Sequence, residues 1–314
     1  MQKIIITGGL GHIGSYLIEK LLANKKNLHL VIIDSLKSQR FPSLFNLKTR
    51  KNKISFYDMD LTYEKISKVV KKADLIIHLA AITDAENSVS KEKIYMNNNL
   101  KCTEESISHS KKYKVPLIFP SSTSVYGKME LGQLLFEDNQ KVLFPQSPYA
   151  KIKLKEEKNI KKKLNTSKFV IIRLGTIIGK STGMRFHTAV NKFCYQAAMN
   201  KKITVWKSAY NQVRPYATLS DFYQLIVFFL KEKKYLNNQT YNLVTKNLTV
   251  KDVIEIIKIK KKINIRFVNS KIMNQLSYRV SNSKLHKIGF KSNSNIKKEI
   301  FDTLKLFQFK NLKR

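Results

Sequence analysis

The run Lys3-Ile4-Ile5-Ile6-Thr7-Gly8-Gly9-Leu10-Gly11-His12-Ile13-Gly14 constrains this chain more than any other. An unbroken stretch of apolar, β-branched residues enters a glycine cluster, and Ile13, Leu17, Ile18, Leu21 and Leu22 leave it at helical spacing. The pattern predicts strand, tight turn and helix. In such a turn one glycine bends the chain, one lets a pyrophosphate approach the backbone, and one lets helix and strand pack closely. The helix start then presents N–H groups and the positive end of its dipole to phosphates. A second apolar strand, Leu28 to Ile33, ends in Asp34, twenty positions past Gly14, where an acid that accepts ribose hydroxyls is expected. The combination predicts dinucleotide binding. A purely structural turn would use similar glycines, but it would not need the acid at that distance.

The rest of the first half repeats the alternation. Ile54–Tyr57, Asp74–Leu79, Leu117–Phe119 and Phe169–Leu174 are predicted strands, and Ile94–Tyr113 and the segment opened by Ser147-Pro148-Tyr149 are predicted helices. Strands that alternate with helices imply an α/β fold of Rossmann type, a doubly wound parallel sheet. Beyond Gly175 the texture changes to loops, a helix near His187–Asn200 and short strands such as Ile203–Trp206. Asp221–Leu230 is apolar enough to return to the sheet, and Thr249–Ile259 and Asn295–Phe307 are closing helices. The expected division is 1–174 for the dinucleotide half, with a return crossing near 213–245, and 175–314 for a smaller C-terminal lobe over the sheet's ligand edge.

Composition sets the boundaries. With 314 residues, 43% of them hydrophobic and 26% charged, the chain can bury a proper core and is not a disordered one. No apolar run approaches the ~20 residues of a membrane span, and no signal peptide precedes the first strand, so no membrane association is expected. The two cysteines, Cys102 and Cys194, fall in helical patterns, which argues against disulfides and for a cytoplasmic, reducing setting. The net charge of +37 invites a nucleic-acid reading. Its excess is scattered lysine with abundant Ile and Asn, without arginine–aromatic clusters, so no specific nucleic-acid partner is expected.

Tyr149 and Lys153 stand four apart on a predicted helix and project from one face. A phenol titrates near a pH of about 10 and is a poor base until a nearby ammonium favours its phenolate. So assisted, Tyr149 could take a proton from a substrate hydroxyl while hydride leaves for a nicotinamide cofactor. Ser122, just past the fifth strand, could hold the same oxygen in line. In a lysine-rich chain the Tyr-x-x-x-Lys pair alone means little; its position after a serine-rich strand end gives it weight. His78 precedes its strand's end and reads as a packed residue.

These motifs, with Asp60-Leu61, His78-Leu79-Ala80-Ala81, Asn98-Asn99, Ser121-Ser122-Thr123-Ser124-Val125-Tyr126-Gly127, Pro148-Tyr149-Ala150-Lys151-Ile152-Lys153 and Arg214-Pro215-Tyr216, resemble those of the extended short-chain dehydrogenase/reductases of the NAD-dependent epimerase/dehydratase family. The likeness covers about residues 1–245. It implies an NAD cofactor with Gly8, Gly11, His12, Ile13 and Gly14 at the pyrophosphate, and Asp34 at the adenosine ribose. It also implies Asp60 and Leu61 beside the adenine, Ala80, Ala81 and Asn99 along the rest of the dinucleotide, and Ser122, Tyr149 and Lys153 as the catalytic group. Arg214 matches an arginine that meets a nucleotide-sugar diphosphate, a role a guanidinium fills bidentately; a surface salt bridge is the alternative. Asp34 favours NAD because a carboxylate repels a 2′-phosphate, although Lys37 and Arg40 lie close in sequence.

Relatives that dehydrate or decarboxylate a sugar carry an acid just before Val-Tyr-Gly, where this chain has Thr123 and Ser124. The resemblance therefore implies C4 epimerisation through a 4-keto sugar, with tightly held NAD. A dehydratase, a reductase and a non-catalytic dinucleotide-binding protein remain alternatives. Thr176 stands where relatives carry an asparagine near the substrate phosphates. Arg185 and His187 lie in a stretch unlike the common substrate loops, and are either sugar or phosphate contacts or part of a capping loop. A homodimer is implied through the helices at Ile94–Tyr113 and Pro148–Lys163.

Overall fold

Isoleucine-rich strands buried on both faces need helices above and below them, and the chain supplies these in turn. The computed structural model describes residues 1–84, 87–127, 133–269 and 277–307. In chain order the strands are β1 (Gln2–Thr7), β2 (Leu28–Asp34), β3 (Lys53–Asp58), β4 (Leu75–His78), β5 (Leu117–Ser122), β6 (Leu134–Leu135), β7 (Phe169–Leu174), β8 (Thr176–Ile178), β9 (Ile203–Trp206), β10 (Val213–Thr218), β11 (Gln239–Leu243), β12 (Lys246–Thr249), β13 (Ile265–Val268) and β14 (Arg279–Val280). The helices are α1 (His12–Asn24), α2 (Glu92–Tyr113), α3 (Pro148–Lys163), α4 (Ala189–Ala198), α5 (Leu219–Lys231), α6 (Val250–Lys258), α7 (Ser283–Lys287) and α8 (Ile296–Lys305).

Seven strands pair in parallel in the order β11-β7-β5-β4-β1-β2-β3. The chain winds outward from β1 to β3 and then crosses back to β4. The reversal between β1 and β4 opens a crevice at the strands' carboxyl ends, the usual place for a ligand in such sheets. Alternation along β1 divides the core: Ile4 and Ile6 pack with α1 and α5, and Ile5 with the side that carries α2 and α3. Each isoleucine so buried contributes about 1.5–3 kcal/mol.

Two expectations need correction. β5 runs on through Pro120 to Ser122, so Ser122 closes the strand rather than lying past it. Pro120 is tolerated because β4 pairs only with Leu117 and Ile118, leaving that edge of β5 free beyond them. The region after Gly175 is also less loop-like than its texture. β8, β10 and β12 form a three-stranded sheet and β9 pairs with β13. α5 starts at Leu219, ahead of the expected Asp221, because the Thr218 side chain accepts the Asp221 N–H at 3.0 Å. It buries Phe222, Leu225, Ile226 and Phe229 against the large sheet, and β11 follows as that sheet's edge strand. A second core around Val190, Phe193, Ile254 and Ile300 joins α4, α6 and α8.

Cys102 and Cys194 are free and buried. Among the described residues no helix is long and apolar enough to cross a membrane, and no group of three or more His, Cys, Asp or Glu could hold a metal.

Candidate active site

A cavity of about 440 Å³ opens at the carboxyl ends of β1, β4, β5 and β7. Its floor is the glycine-rich turn. Gly8 has a φ of +64°, and a Cβ there would stand 2.5 Å from the Ala80 nitrogen, so only glycine fits. Helix α1 begins just beyond it with no side chain capping its N-terminus. His12, on that first turn, is 2% exposed; its Nδ1 lies 2.7 Å from Ser181 Oγ, and its Nε2 is shut in without a partner among the described residues. Burial, helped by Arg185, Arg40 and His187, pushes the imidazole down to about 3, so it is neutral.

The second wall carries the Tyr-x-x-x-Lys pair. Ser147 caps α3 by accepting the Ala150 N–H at 3.1 Å, with Pro148 in the first turn, so Tyr149 enters the cavity from the helix start. The Tyr149 phenol and the Ser122 side chain both face the cavity, and the Ser122 Oγ accepts the Ser124 N–H at 3.1 Å. One turn on, Lys153 lies buried over the Phe119 ring, its Nζ 4.5 Å from the ring centre. Burial holds the Tyr149 phenol above its usual range, with Glu156 adding to that and the Lys153 ammonium and Arg185 opposing it only in part. Burial alone would lower Lys153, but the Glu156 carboxylate 3.0 Å away, together with Tyr149 and Glu157, outweighs it and holds the ammonium above the usual lysine range.

The third wall comes from the lobe beyond Gly175. Thr176 opens β8, and Arg214 on β10 stands over the Tyr278 ring and donates from Nη2 to Gln212 at 3.0 Å. The segment after β8 lies directly on the glycine-rich turn. The Gly183 N–H donates to Ser15 Oγ at 2.9 Å, and a Cβ on Gly183 would stand 2.2 Å from the Leu10 carbonyl. Arg185 and His187 follow, both facing the cavity. Arg185 Nη1 donates to Thr83, while its Nε is closed off from solvent without a partner among the described residues. Desolvation and Arg40 push Arg185 down to about 10, and desolvation and Arg185 push His187 down to about 4. The segment is thus a cap over the turn and also a source of cationic groups in the cavity.

Most of the chain matches one family model. Residues 4–243 fit that of the NAD dependent epimerase/dehydratase family. The chain belongs to the NAD-dependent epimerase/dehydratase family. Within it, this chain is 28% identical over 251 residues to an uncharacterized UDP-glucose epimerase of Bacillus subtilis, covering 77% of this chain and 76% of that one. It is 25% identical over 326 residues to the human dTDP-D-glucose 4,6-dehydratase, covering 98% and 90%. In fold it superposes on a UDP-glucuronic acid 4-epimerase of Bacillus cereus, solved with UDP-glucuronic acid and NAD. The TM-score is 0.85 at 24% identity, over 98% of this chain and 99% of that one.

Like its family, the chain is an NAD-dependent enzyme, and its residues fit that cofactor. The uncapped start of α1, the unpartnered His12 Nε2 and the cationic surroundings suit a pyrophosphate. Asp34 at the end of β2 accepts the Leu10 N–H at 3.0 Å and the Leu36 N–H at 3.1 Å, fixing its carboxylate beside the turn. Burial raises that carboxyl. Lys37, the nearer cation in sequence, is tied to Asp60 in an ion pair.

Gly8, His12, Ile13, Gly14, Ala81, Ser122, Tyr149, Lys153, Thr176, Arg185, His187 and Arg214 meet in the cavity. The other candidates stand around it. Gly11 caps α1, Ala80 backs Gly8, and Leu61 packs in the core under the sheet. Asn99 uses its amide on the Ile82 backbone, accepting at 2.8 Å and donating at 3.0 Å, and so braces the loop that carries Ala81. Sequence reasoning missed Glu156 and Thr103. The available signal was an acid three positions after Lys153 on the helix's buried stripe, hidden by its adjacency to Glu157.

Proposed function

We propose that this enzyme is a nucleotide-sugar epimerase that inverts C4 through a transient 4-keto sugar, reduced again from its other face. When bound, NAD supplies the hydride acceptor and donor. Tyr149 takes the proton of the C4 hydroxyl and later returns it, Ser122 aligns the same oxygen, and Lys153 keeps the phenol ready to ionise. Gly8, Gly11, His12, Ile13, Gly14, Asp34, Asp60, Leu61, Ala80, Ala81 and Asn99 hold or frame the cofactor. Thr176, Arg185, His187 and Arg214 take the diphosphate and sugar. In this reading 1–174 with the return at 213–245 is the cofactor half, and 175–314 mainly the substrate lobe.

The observation that supports it is the meeting of Tyr149, Ser122 and Lys153 in one cavity, whose floor is the glycine-rich turn and whose roof carries Arg185. Epimerisation rather than dehydration is favoured because the side chains next to Ser122 on that wall, Thr123 and Ser124, are hydroxyls. The deciding measurement incubates the purified protein with UDP-, GDP- and dTDP-hexoses and follows product mass and sugar configuration. A C4 epimer of unchanged mass supports the reading; loss of water or gain of two hydrogens overturns it. The same reading expects a homodimer through α2 and α3, which sedimentation would show as twice the 36.5 kDa chain.

A further inference from the structure

Directly behind Lys153 the protein buries a carboxylate that the proposed chemistry does not use. Glu156 is 0% exposed, on the same stripe of α3 as Tyr149 and Lys153. One of its oxygens lies 3.0 Å from Lys153 Nζ, and the other accepts the Thr103 hydroxyl of α2 at 2.5 Å. Thr103 Oγ1 lies 3.1 Å from His78 Nε2, and His78 Nδ1 is 2.8 Å from both Thr7 Oγ1 and Ser106 Oγ. A closed chain of polar groups thus runs from the phenol's lysine to the strand that leads into the glycine-rich turn.

Its polarity follows from the donors. With Glu156 ionised, Thr103 must donate to it, so Thr103 accepts from His78 Nε2–H, and a hydroxyl of Thr7 or Ser106 donates to His78 Nδ1. The Glu156 oxygen that faces Lys153 meets it as an ion pair and has no hydrogen bond among the described residues. The next acid along, Glu157, takes no part: Arg173 holds it bidentately, Nη2 to Oε2 at 2.7 Å and Nε to Oε1 at 3.0 Å.

We propose that Glu156 is the buried counter-charge of the Tyr149–Lys153 pair, held in place by Thr103 and His78, and that it sets the pH range in which the pair exchanges protons. The inference rests on Tyr149 being the proton acceptor. The groups that face Glu156 leave it in charge of that range. On α3 these are Lys153, Tyr149 and Glu157, the last neutralised by Arg173. On α2 they are Thr103 and Cys102, whose thiol burial pushes up to about 12. On β4 it is His78, which burial and then Lys153 push down to about 3. Burial pushes the Glu156 carboxyl up, opposed by Lys153 and Thr103; once ionised, a charge 3.0 Å from Nζ favours the protonated form of both phenol and ammonium, so its removal lowers both steps of the coupled pair. Glu156 is a positioning residue: it acts through Lys153 and touches neither substrate nor cofactor.

The test is Glu156→Gln, which keeps the shape and still accepts from Thr103. Phenolate absorbance of the NAD-loaded protein, taken as the difference from the matching Tyr149→Phe protein, gives the Tyr149 midpoint whatever the substrate. The midpoint should fall by about one pH unit, and Glu156→Asp, which restores a carboxylate, should bring it back toward that of the parent. With a reacting sugar, both limbs of the kcat–pH profile should move down together. An unmoved midpoint, or a uniform loss of activity with both limbs in place, overturns the proposal. A shifted midpoint in a protein that epimerises no nucleotide sugar would leave the counter-charge standing and overturn the function instead.

Discussion

The two walls that face each other across the cavity treat positive charge in opposite ways. On the α3 side Lys153 is buried against Glu156, and Arg173 below it is locked to Glu157. Facing it, desolvation pushes Arg185, His187 and His12 toward the neutral form, Arg40 adds to that for all three, and Asp84 opposes it for Arg185 and His187. Charges on the first wall are balanced within the protein, which fixes geometry before any ligand arrives. On the second wall the standing charge is that of Arg185, which under the proposed function an anionic substrate balances. Under the proposed function one wall reacts and the other recognises, and the difference predicts how each responds to change.

The largest effect should come from the balanced wall. Tyr149→Phe removes the proton acceptor and should lower kcat about 10³-fold while leaving bound NAD in place; rapid-quench turnover and the NAD released on denaturation measure the two. Retained turnover would mean that the reacting group lies elsewhere. Arg185→Gln, on the other wall, should instead weaken nucleotide-sugar binding about 10–100-fold, the value of a charge-assisted hydrogen bond. Calorimetric titration checks it, and unchanged affinity would end the contrast between the walls.

Gly183→Val forces a side chain into the Leu10 carbonyl, and overpacking of that kind costs about 1–3 kcal/mol. The lobe should lift from the turn and NAD should dissociate about tenfold faster, read from cofactor loss on dilution. The last effect is on stability. His12, His78, His109 and His187 are held down at about 3 to 4 in the folded protein, against 6.5 for the free side chain. As pH falls below 6.5 the unfolded chain takes up protons that the folded one refuses, so the melting temperature should drop on the order of ten degrees toward pH 5. A saturating nucleoside diphosphate should recover the share owed to His12 and His187 only.

The cofactor half was legible because its signals are local. Ile4 to Ile6, the glycines and Asp34 lie within a few dozen residues, and the spacing of Tyr149 and Lys153 is a property of one helix. The lobe was not, because its order depends on distant pairing. β10 contains Pro215, which argues against a strand until β8 and β12 flank it, and β11 reads Gln-Thr-Tyr-Asn-Leu, too polar to announce an edge strand of the main sheet. Arg185 and His187 could be marked as candidates but not placed, since only the contacts of Ser181 and Gly183 with the turn bring them over it. Glu156 was overlooked because pattern alone does not tell which of two adjacent acids meets Arg173 and which meets Lys153.

The seat of Gly183 on the Leu10 carbonyl has a consequence for the enzyme's history. Under the proposed function that seat covers part of the turn that holds the coenzyme, and release would be slowed while it stays closed. Each molecule would then keep one coenzyme through many turnovers. The number of competent molecules would follow the coenzyme present at synthesis, and later swings in its supply would leave them untouched.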